Sequence, residues 1–204
     1  MAKEVEEIIL DPEGEDKHTS FYDDLLMDEF EKETDRGAVI VATSLFDSVL
    51  HNLLKAFLLP ESNSKDELFE GPNAPLSSFN SKITLAFRLG LISQKFARDI
   101  HLIRKIRNEF AHNIHGCDFS HSSVKSRVLE LMKSSEIKKK FPSACDSDKK
   151  GIRSDFLITC SWMIWALNSK LRYLKQVENC SEEFGYSDIN EKELIEEDGG
   201  FKDE

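Results

Sequence analysis

The sequence lacks long uncharged apolar runs, paired cysteines and an export signal. No apolar run approaches the about 18 residues that a membrane-spanning helix needs. The segment 1–7 is acidic and has no apolar core, so it does not predict a signal peptide. The four cysteines form no C-x-x-C motif: Cys117, Cys145, Cys160 and Cys180. We therefore expect a cytoplasmic protein with reduced thiols and no membrane association.

Common catalytic and cofactor-binding motifs are also missing. The chain contains no G-x-G-x-x-G, no phosphate-binding P-loop, no G-x-S-x-G and no H-E-x-x-H. The acidic runs at 23–24 and 196–198 are typical of solvated surface. These absences exclude the familiar nucleotide-binding, serine-hydrolase and zinc-protease classes, and they predict no cofactor.

Charge is distributed very unevenly. The formal net charge is −11, yet residues 1–35 carry −11, residues 36–177 carry +9 and residues 178–204 carry −9. We interpret the acidic ends as solubilising segments, with the alternative that one of them folds over the basic middle and competes with an anionic partner. Three regions follow: a poorly ordered acidic N-terminus at 1–19, a globular region at 20–177 and an acidic tail at 178–204.

Apolar residues in the middle region recur with helical period, and no segment alternates like a strand. The pattern predicts an all-α bundle of about six helices, two long ones central. Segment 66–75 contains Gly71, Pro72 and Pro75 and predicts a structured loop, and Lys-rich 135–151 predicts an exposed connection. A first helix is expected to begin at Ser20 and to include Phe30, and the others are expected near the following ranges: 36–59, 77–89, 93–111, 123–134 and 152–177.

The segment from His101 to His112 carries the most distinctive chemistry. Its helix has one apolar stripe for the core: Phe96, Ile100, Ile103, Ile106 and Phe110. A second stripe lies about 120° away around small Ala111, and with its flanks it forms a polar face: Arg104, Arg107, Asn108, His112 and His115. Solvated helix faces usually mix Lys and Glu, so this face is a candidate binding face.

Two family resemblances rest on these residues. Arg107 and His112 resemble the signature of HEPN domains, an Arg and a His four to six residues apart. Over about 20–175 the chain also resembles the mannitol operon repressor family, MtlR, in the order of five segments: Asp35–Ala42, Leu68–Pro72, Leu76–Phe79, Leu85–Ile92 and Ile100–His112. In that motif we interpret Asp35 and Arg36 as a helix cap and an ion pair rather than as a site.

The two resemblances imply different functions. MtlR-like proteins are regulators that resemble no standard DNA-binding fold and act with other factors, and relatives pair as dimers. HEPN domains are all-helical, usually dimeric and often metal-independent RNases. In that alternative Arg107 holds the phosphate, Asn108 positions a phosphate oxygen or the His ring, and His112 acts as general acid or base.

A structural role for the same residues is the other alternative. Arg107, Asn108 and His112 could form a buried polar cluster that ties helix ends together, with Arg107 paired to Asp47 or Glu109. A zinc site at His112, His115, Cys117 and His121 is a minor alternative, because that spacing matches no familiar finger or ribbon. We predict no metal.

Direct reading of DNA is not expected. A helix-turn-helix needs a short tri-helical unit with a basic recognition helix, and the segment 123–134 carries only Lys125, Arg127 and Lys133. The sequence therefore predicts a cytoplasmic, homodimeric MtlR-like regulator or repressor that acts in transcription through protein partners. The alternative is a HEPN-type RNase, a toxin or defence component that binds RNA.

Overall fold

The computed structural model describes residues 30, 32–61, 65–113, 116–140 and 147–180. Within these ranges the chain is all-α, with turns and loops between helices and no strand, as the periodicity predicted. The helices in chain order are α1 (Asp35–Phe57), α2 (Phe79–Arg88), α3 (Gln94–His112), α4 (Ser122–Ser135), α5 (Ile137–Lys140) and α6 (Ser147–Leu171).

Helix α1 is the longest uninterrupted helix and touches three others. Thr34 is its N-cap, because the hydroxyl oxygen accepts a hydrogen bond from Gly37 N at 3.1 Å. Its length and apolar composition would also suit a membrane span, with a mean hydropathy of 1.4 over the best window. In this fold it packs against α2, α3 and α6, and its apolar side chains form part of the core.

Serine caps fix the starts of α2 and α3. Ser78 Oγ accepts from Ser81 N, and Ser93 Oγ accepts from Phe96 N. Between the helices Gly90 adopts φ +70°, a left-handed conformation that favours glycine and ends α2 where the sequence predicted. The caps fix where each helix begins, and residues at the start of α2 and on the polar face of α3 line one cleft with residues of α1.

The core forms where α1, α3, α4 and α6 meet. The predicted apolar stripe of α3 is buried, with Ile100, Ile103, Ile106 and Phe110 fully inaccessible and Phe96 half-buried. A chain of aromatic rings runs from Phe110 through Phe119 to Phe156, with centroids 5.5 and 5.4 Å apart. Burial of one stripe leaves the second stripe of α3 free to form a surface.

The last helix is shorter than predicted. Helix α6 ends at Leu171 rather than near 177, and Gly151 breaks its first turns with φ +79° and ψ 169°. Beyond the helix the chain folds back over the end of α1, where Val177 N donates to Phe57 O at 2.9 Å. The prediction of a continuous helix to residue 177 was wrong. Apolar residues at helical spacing do not distinguish a helix from a non-helical segment that packs on the same core, as the segment after Leu171 does.

The connection predicted at 135–151 was also partly wrong. It contains the short helix α5, and Ile137 is fully buried in the core. Glu136 adopts a left-handed φ of +56° and turns the chain between α4 and α5. One buried isoleucine anchors a segment that its many lysines suggested was solvent-exposed.

The acidic ends fall almost wholly outside the described residues. The acidic N-terminus at 1–19 and the predicted helix from Ser20 lie outside, apart from Phe30 and Lys32 near the end of that helix, and Phe30 is buried. Of the tail at 178–204, the described part ends at residue 180. The predicted boundaries at 19/20 and 177/178 therefore stay predictions.

Candidate functional site

A cleft of about 410 Å³ lies between α1, the N-terminus of α2 and α3. We call it the arginine pocket. Its lining residues are Ile40, Thr43, Ser44, Asp47, Ser78, Phe79, Asn80, Arg104, Arg107 and Asn108. Three members of the predicted binding face, Arg104, Arg107 and Asn108, thus line one cleft.

Neither arginine has a carboxylate partner among the described residues. Arg104 is half-buried, and its Nε is inaccessible to solvent and meets no hydrogen-bond acceptor. Arg107 is exposed, and one of its amino groups makes a long contact of 3.4 Å to Asn108 Oδ1. Two guanidinium groups therefore line the cleft without an ion pair of their own, which is costly for the partly buried Arg104.

The carboxylates nearest to Arg107 in the predicted structural cluster are engaged elsewhere. Both oxygens of Asp47 accept from Lys82 Nζ at 2.8 Å, which joins α1 to α2. Glu109 Oε1 accepts from Arg127 at 2.8 Å, which joins α3 to α4, and this hydrogen bond lowers the pKa of Glu109. The predicted pairing of Arg107 with Asp47 or Glu109 was therefore wrong.

The start of α2 adds donors to the same cleft. The first N–H groups of a helix have no intrahelical acceptor, and the helix dipole places partial positive charge there. Ser78 caps Ser81 N, whereas the N–H groups of Phe79 and Asn80 have no acceptor in the part of the chain that the structure describes. The pocket is therefore lined by two arginines and by the first residues of a helix, whose free N–H groups and dipole favour an oxyanion nearby.

His112 does not join this group. It is the last residue of α3, its side chain is exposed, and it is not among the residues that line the arginine pocket. His115, the other predicted histidine of the face, lies outside the described residues. Within one chain, the Arg107 and His112 of the HEPN-like pair are thus separated into a pocket residue and a helix-end residue.

The face also contains a histidine that the sequence reasoning passed over. His101 lies one turn before Arg104 on α3. Its half-buried ring loses hydration, and Arg104 and Lys105 lie nearby, so its pKa is lowered. The lowered pKa disfavours a positive charge on His101, so the charge at the pocket comes from Arg104 and Arg107.

A cluster of metal ligands does not form among the described residues. No group of three or more His, Cys, Asp or Glu side chains converges there. His121 Nδ1 instead lies 3.0 Å from Ser123 Oγ, beside the start of α4, and burial raises the pKa of the Cys117 thiol. The predicted H-x-x-H-x-C-x-x-x-H spacing includes His115, which is outside the described residues.

Asp35 and Arg36 have structural contacts, as predicted. Asp35 forms an ion pair with Arg153 of α6 at 3.3 Å and accepts from Phe119 N at 3.3 Å. Arg36 donates to Asn113 O at 2.9 Å, just beyond the end of α3. The residue in an ion pair is thus Asp35 rather than Arg36, and the helix cap is Thr34. Asp35 joins the start of α1 to α6 and to the loop after α3, and Arg36 joins it to the end of α3.

Sequence reasoning missed the residues that complete the pocket. Ser78, Phe79 and Asn80 lie at a helix start, and the buried Lys82 pairs with the partly exposed Asp47 to join α2 to α1. The sequence did contain one indication of the ion pair. Lys82 lies three residues after Phe79 and one before Ile83, inside an otherwise apolar helix face. A cation buried in such a face needs an anionic partner from another helix.

Comparisons with known proteins address the fold. No family model matches the chain, and no curated protein matches it. A chain of the X-ray structure of the MtlR-HPr complex from Escherichia coli is similar, with a TM-score of 0.52 and 18% sequence identity. The fold resembles that of MtlR. The similarity covers 73% of this chain and 99% of that chain.

The structural similarity to MtlR bears on the two family resemblances differently. It supports the fold expected from the five MtlR-like segments, and at 18% identity it carries the fold alone. The comparisons give no support to the resemblance to HEPN domains. The function of the polar face is therefore a matter for proposal and experiment.

Proposed function

We propose that this protein is a cytoplasmic, MtlR-like regulator that acts by binding a partner protein rather than by reading DNA. The observation that carries the proposal is the similarity of its helical fold, over 99% of the other chain, to a structure in which MtlR is bound to HPr. In this proposal the protein contributes to transcription regulation, as a repressor, through the partner it holds, and HPr is the first partner to test.

The exposed end of α3 is the proposed partner-binding surface. Arg107 and His112 are exposed there, and Arg104 and Asn108 lie half-buried behind them. Ile40, beside this surface on α1, leaves 46% of its side chain accessible. An exposed apolar side chain beside unpaired guanidiniums suits a protein surface that carries carboxylates and a small apolar patch. His115 belongs to the proposed surface by sequence alone.

Direct DNA reading is not part of the proposal. The short helix α4 carries the bases that a recognition helix would need, yet Arg127 is engaged with Glu109 of α3. Val124, Val128, Leu131 and Met132 of the same helix are buried in the core. A recognition helix must present an exposed basic face to the major groove, and α4 presents few free bases.

The test is binding to purified HPr from the same cells, measured by calorimetry with the full chain. We expect a complex whose affinity falls at least about tenfold in Arg107→Glu and in His112→Glu, because each change reverses or adds charge at the surface. Lys170→Glu, on the exposed side of α6, is the matched charge change and should bind as the wild type does.

Two results would contradict the proposal. The wild-type chain could fail to bind HPr at tens of micromolar, although correctly folded by circular dichroism. Alternatively, the two α3 variants could bind as tightly as Lys170→Glu. Either result removes HPr binding through α3 from consideration.

A further inference from the structure

The arginine pocket has an excess of positive charge. Arg104 and Arg107 contribute two charges, whereas Asp47 is neutralised by its bidentate contact with Lys82. No other carboxylate lines the pocket. The lining residues sum to one positive unit, and Lys82, which holds Asp47 from outside the lining, brings the local sum to two before the partial charge of the α2 N-terminus is added.

The donors of the pocket come from two independent elements. Arg104 lines the cleft from α3, is half-buried and forms no ion pair among the described residues, so its guanidinium charge is without a partner there. Phe79 and Asn80 line the cleft from the start of α2, where the first backbone N–H groups of a helix lack intrahelical acceptors. A ligand that accepts from both elements would also bridge α2 and α3.

Charge and donor number decide between oxyanions. A carboxylate carries one negative charge and two acceptor oxygens, whereas a phosphate monoester carries about −2 at neutral pH and three acceptor oxygens. The phosphate monoester is the better match for two guanidiniums without ion pairs and for the backbone amides at the start of α2. Arginine in addition binds phosphate through two parallel hydrogen bonds.

Volume and lining describe the rest of the ligand. The cleft of about 410 Å³ lies within the range of small-molecule sites, and it is much larger than a phosphate group alone needs. The remaining lining is mixed, with the polar side chains of Ser44, Asn80 and Asp47 and the apolar side chains of Ile40 and Phe79. Such a lining suits a small, polar body with hydroxyl groups.

We propose that the arginine pocket is an effector site for a small phosphate monoester with a polar body, held by Arg104, Arg107 and the N-terminus of α2. Arg104 lines the half-buried side of the pocket and Arg107 the exposed side. The pocket shares Ile40, Arg104, Arg107 and Asn108 with the proposed partner-binding surface, so a bound ligand would change what α3 presents to a partner. The titrations below contain no protein partner, so they can succeed or fail independently of HPr binding.

The experiment is calorimetric titration of the full chain with four probes at moderate salt: inorganic phosphate, glucose 6-phosphate, glucose and glucuronate. We expect glucose 6-phosphate to bind most tightly, inorganic phosphate more weakly and glucose not at all. Glucuronate, the carboxylate of matched body, should bind at least about tenfold more weakly than glucose 6-phosphate. A single-stranded RNA oligonucleotide is the fifth titrant.

Variants locate the site. Arg104→Gln and Arg107→Gln should each weaken glucose 6-phosphate binding at least about tenfold, since each removes a charge-assisted contact. Ser44→Glu approaches the pocket from α1, leaves both arginines in place and should abolish binding through its carboxylate. Arg88→Gln, an exposed arginine at the far end of α2, is the control and should bind normally. Melting curves establish that each variant is folded.

The proposal is overturned if neither phosphate probe binds the wild type at millimolar concentration. It is also overturned if the Arg104 and Arg107 variants bind as Arg88→Gln does, because binding then lies elsewhere. Tighter binding of glucuronate would assign the pocket to carboxylates. RNA binding that the two arginine variants abolish, without binding of glucose 6-phosphate, would assign the pocket to nucleic acid instead.

Discussion

Some charged residues of α3 form contacts that stabilise the fold, and others do not. Glu109 pairs with Arg127 and thereby joins two helices, whereas Arg107, two residues earlier, meets no carboxylate among the described residues. Arg107 is exposed, and Arg104 behind it is half-buried. A side chain without structural partners contributes little to the stability of the fold, so the guanidinium group of Arg107 is available for binding.

Arg107→Ala tests that division. We expect the melting temperature to change by less than about 1 °C, because an exposed arginine without a paired carboxylate contributes only a few tenths of a kcal/mol. Arg127→Ala, the matched change at a paired arginine, should lower it by several degrees, since Glu109 then loses its partner. Thermal unfolding followed by circular dichroism measures both.

RNA cleavage is checked with the same protein. We expect the wild type, with EDTA present, to leave single-stranded RNA and transfer RNA intact over hours. Cleavage that disappears in both Arg107→Ala and His112→Ala, while the fold is intact, would reverse this expectation and restore the HEPN alternative.

Asp99 is a buried carboxyl group whose negative charge opposes folding. It is 3% exposed, its Oδ2 accepts from Ser134 at 2.9 Å, and its Oδ1 has no hydrogen-bond donor, although Arg98 approaches to 3.8 Å. Burial raises the pKa of this carboxyl, since desolvation disfavours the ionised form more than Ser134 and Arg98 favour it. The folded state therefore holds this proton more tightly than the unfolded chain does.

The stability difference between wild type and Asp99→Asn should depend on pH. Above the raised pKa the buried charge costs its full amount, so at pH 7 we expect the variant to be more stable by about 1 kcal/mol. As pH falls through the folded pKa towards the unfolded value, the wild type gains its proton and the gap closes. Denaturant titrations at several pH values between 7 and 4 measure this difference in the free energy of unfolding. Glu130→Gln, at an exposed carboxylate beside the same arginine, is the control and should leave no such gap.

Helix boundaries were set by local residues and helix lengths by contacts elsewhere. Ser78 and Ser93 cap α2 and α3 as N-caps, and Gly90 ends α2, all within a few residues of each helix end. The end of α6 differs, because the segment after Leu171 is held by a hydrogen bond to the end of α1. An N-cap residue can be recognised from the sequence alone, whereas a segment that packs on another helix cannot be recognised without that helix.

Gly151→Ala tests the break in α6. Its φ of +79° with ψ of 169° belongs to a region that is essentially restricted to glycine, at a cost of about 1–3 kcal/mol for other residues. A methyl group there would meet no atom within 4 Å, so the cost arises from the backbone alone. We expect a lower melting temperature by several degrees in a thermal scan.

The control for this change is Ser154→Ala, one turn further along α6. Alanine favours the helix, so its melting temperature should be unchanged or slightly higher. An unchanged value for Gly151→Ala itself would mean that α6 can continue without the break, and that the two helical parts are not held apart by the surrounding packing.

At the scale of the whole molecule, one aromatic pair remains partly accessible. Trp162 and Trp165 stack with ring centroids 4.7 Å apart and planes at 24°, and both are half-buried on α6. Trp162 has a further contact within the chain, so Trp165 is the better candidate for an intermolecular contact. Large aromatic side chains of this kind are enriched where proteins associate.

We predict that the protein is a dimer at tens of micromolar. Light scattering should give twice the chain mass of 23.4 kDa, because a second copy can cover the half-buried Trp162 and Trp165 of α6. Trp165→Lys should shift the mass towards the monomer, whereas Tyr173→Lys, at a side chain 82% exposed, should not. A monomeric wild type at that concentration contradicts the prediction.

The sequence predicted the fold class well and the site in part. Period and caps indicated the helices that the structure contains, apart from the end of α6 and the short α5. The polar face of α3 was visible from spacing alone, and Arg104, Arg107 and Asn108 do line one cleft. His112 could not be excluded from the cleft by spacing, because its position depends on where α1 and α2 cross α3.

The amino-acid sequence by itself determines the local choices: helix from the 3.6-residue period, helix starts from serine and threonine caps, and the buried stripe of α3 from its isoleucines. Only the tertiary structure decides which charges are paired. Asp47 could have paired with Arg107, yet α2 brings Lys82 to it, and Glu109 is taken by Arg127. Which carboxylate pairs with which cation depends on the distances between helices that are far apart in the sequence. Arg104 and Arg107 therefore lack a carboxylate partner for a reason that cannot be read from the local sequence.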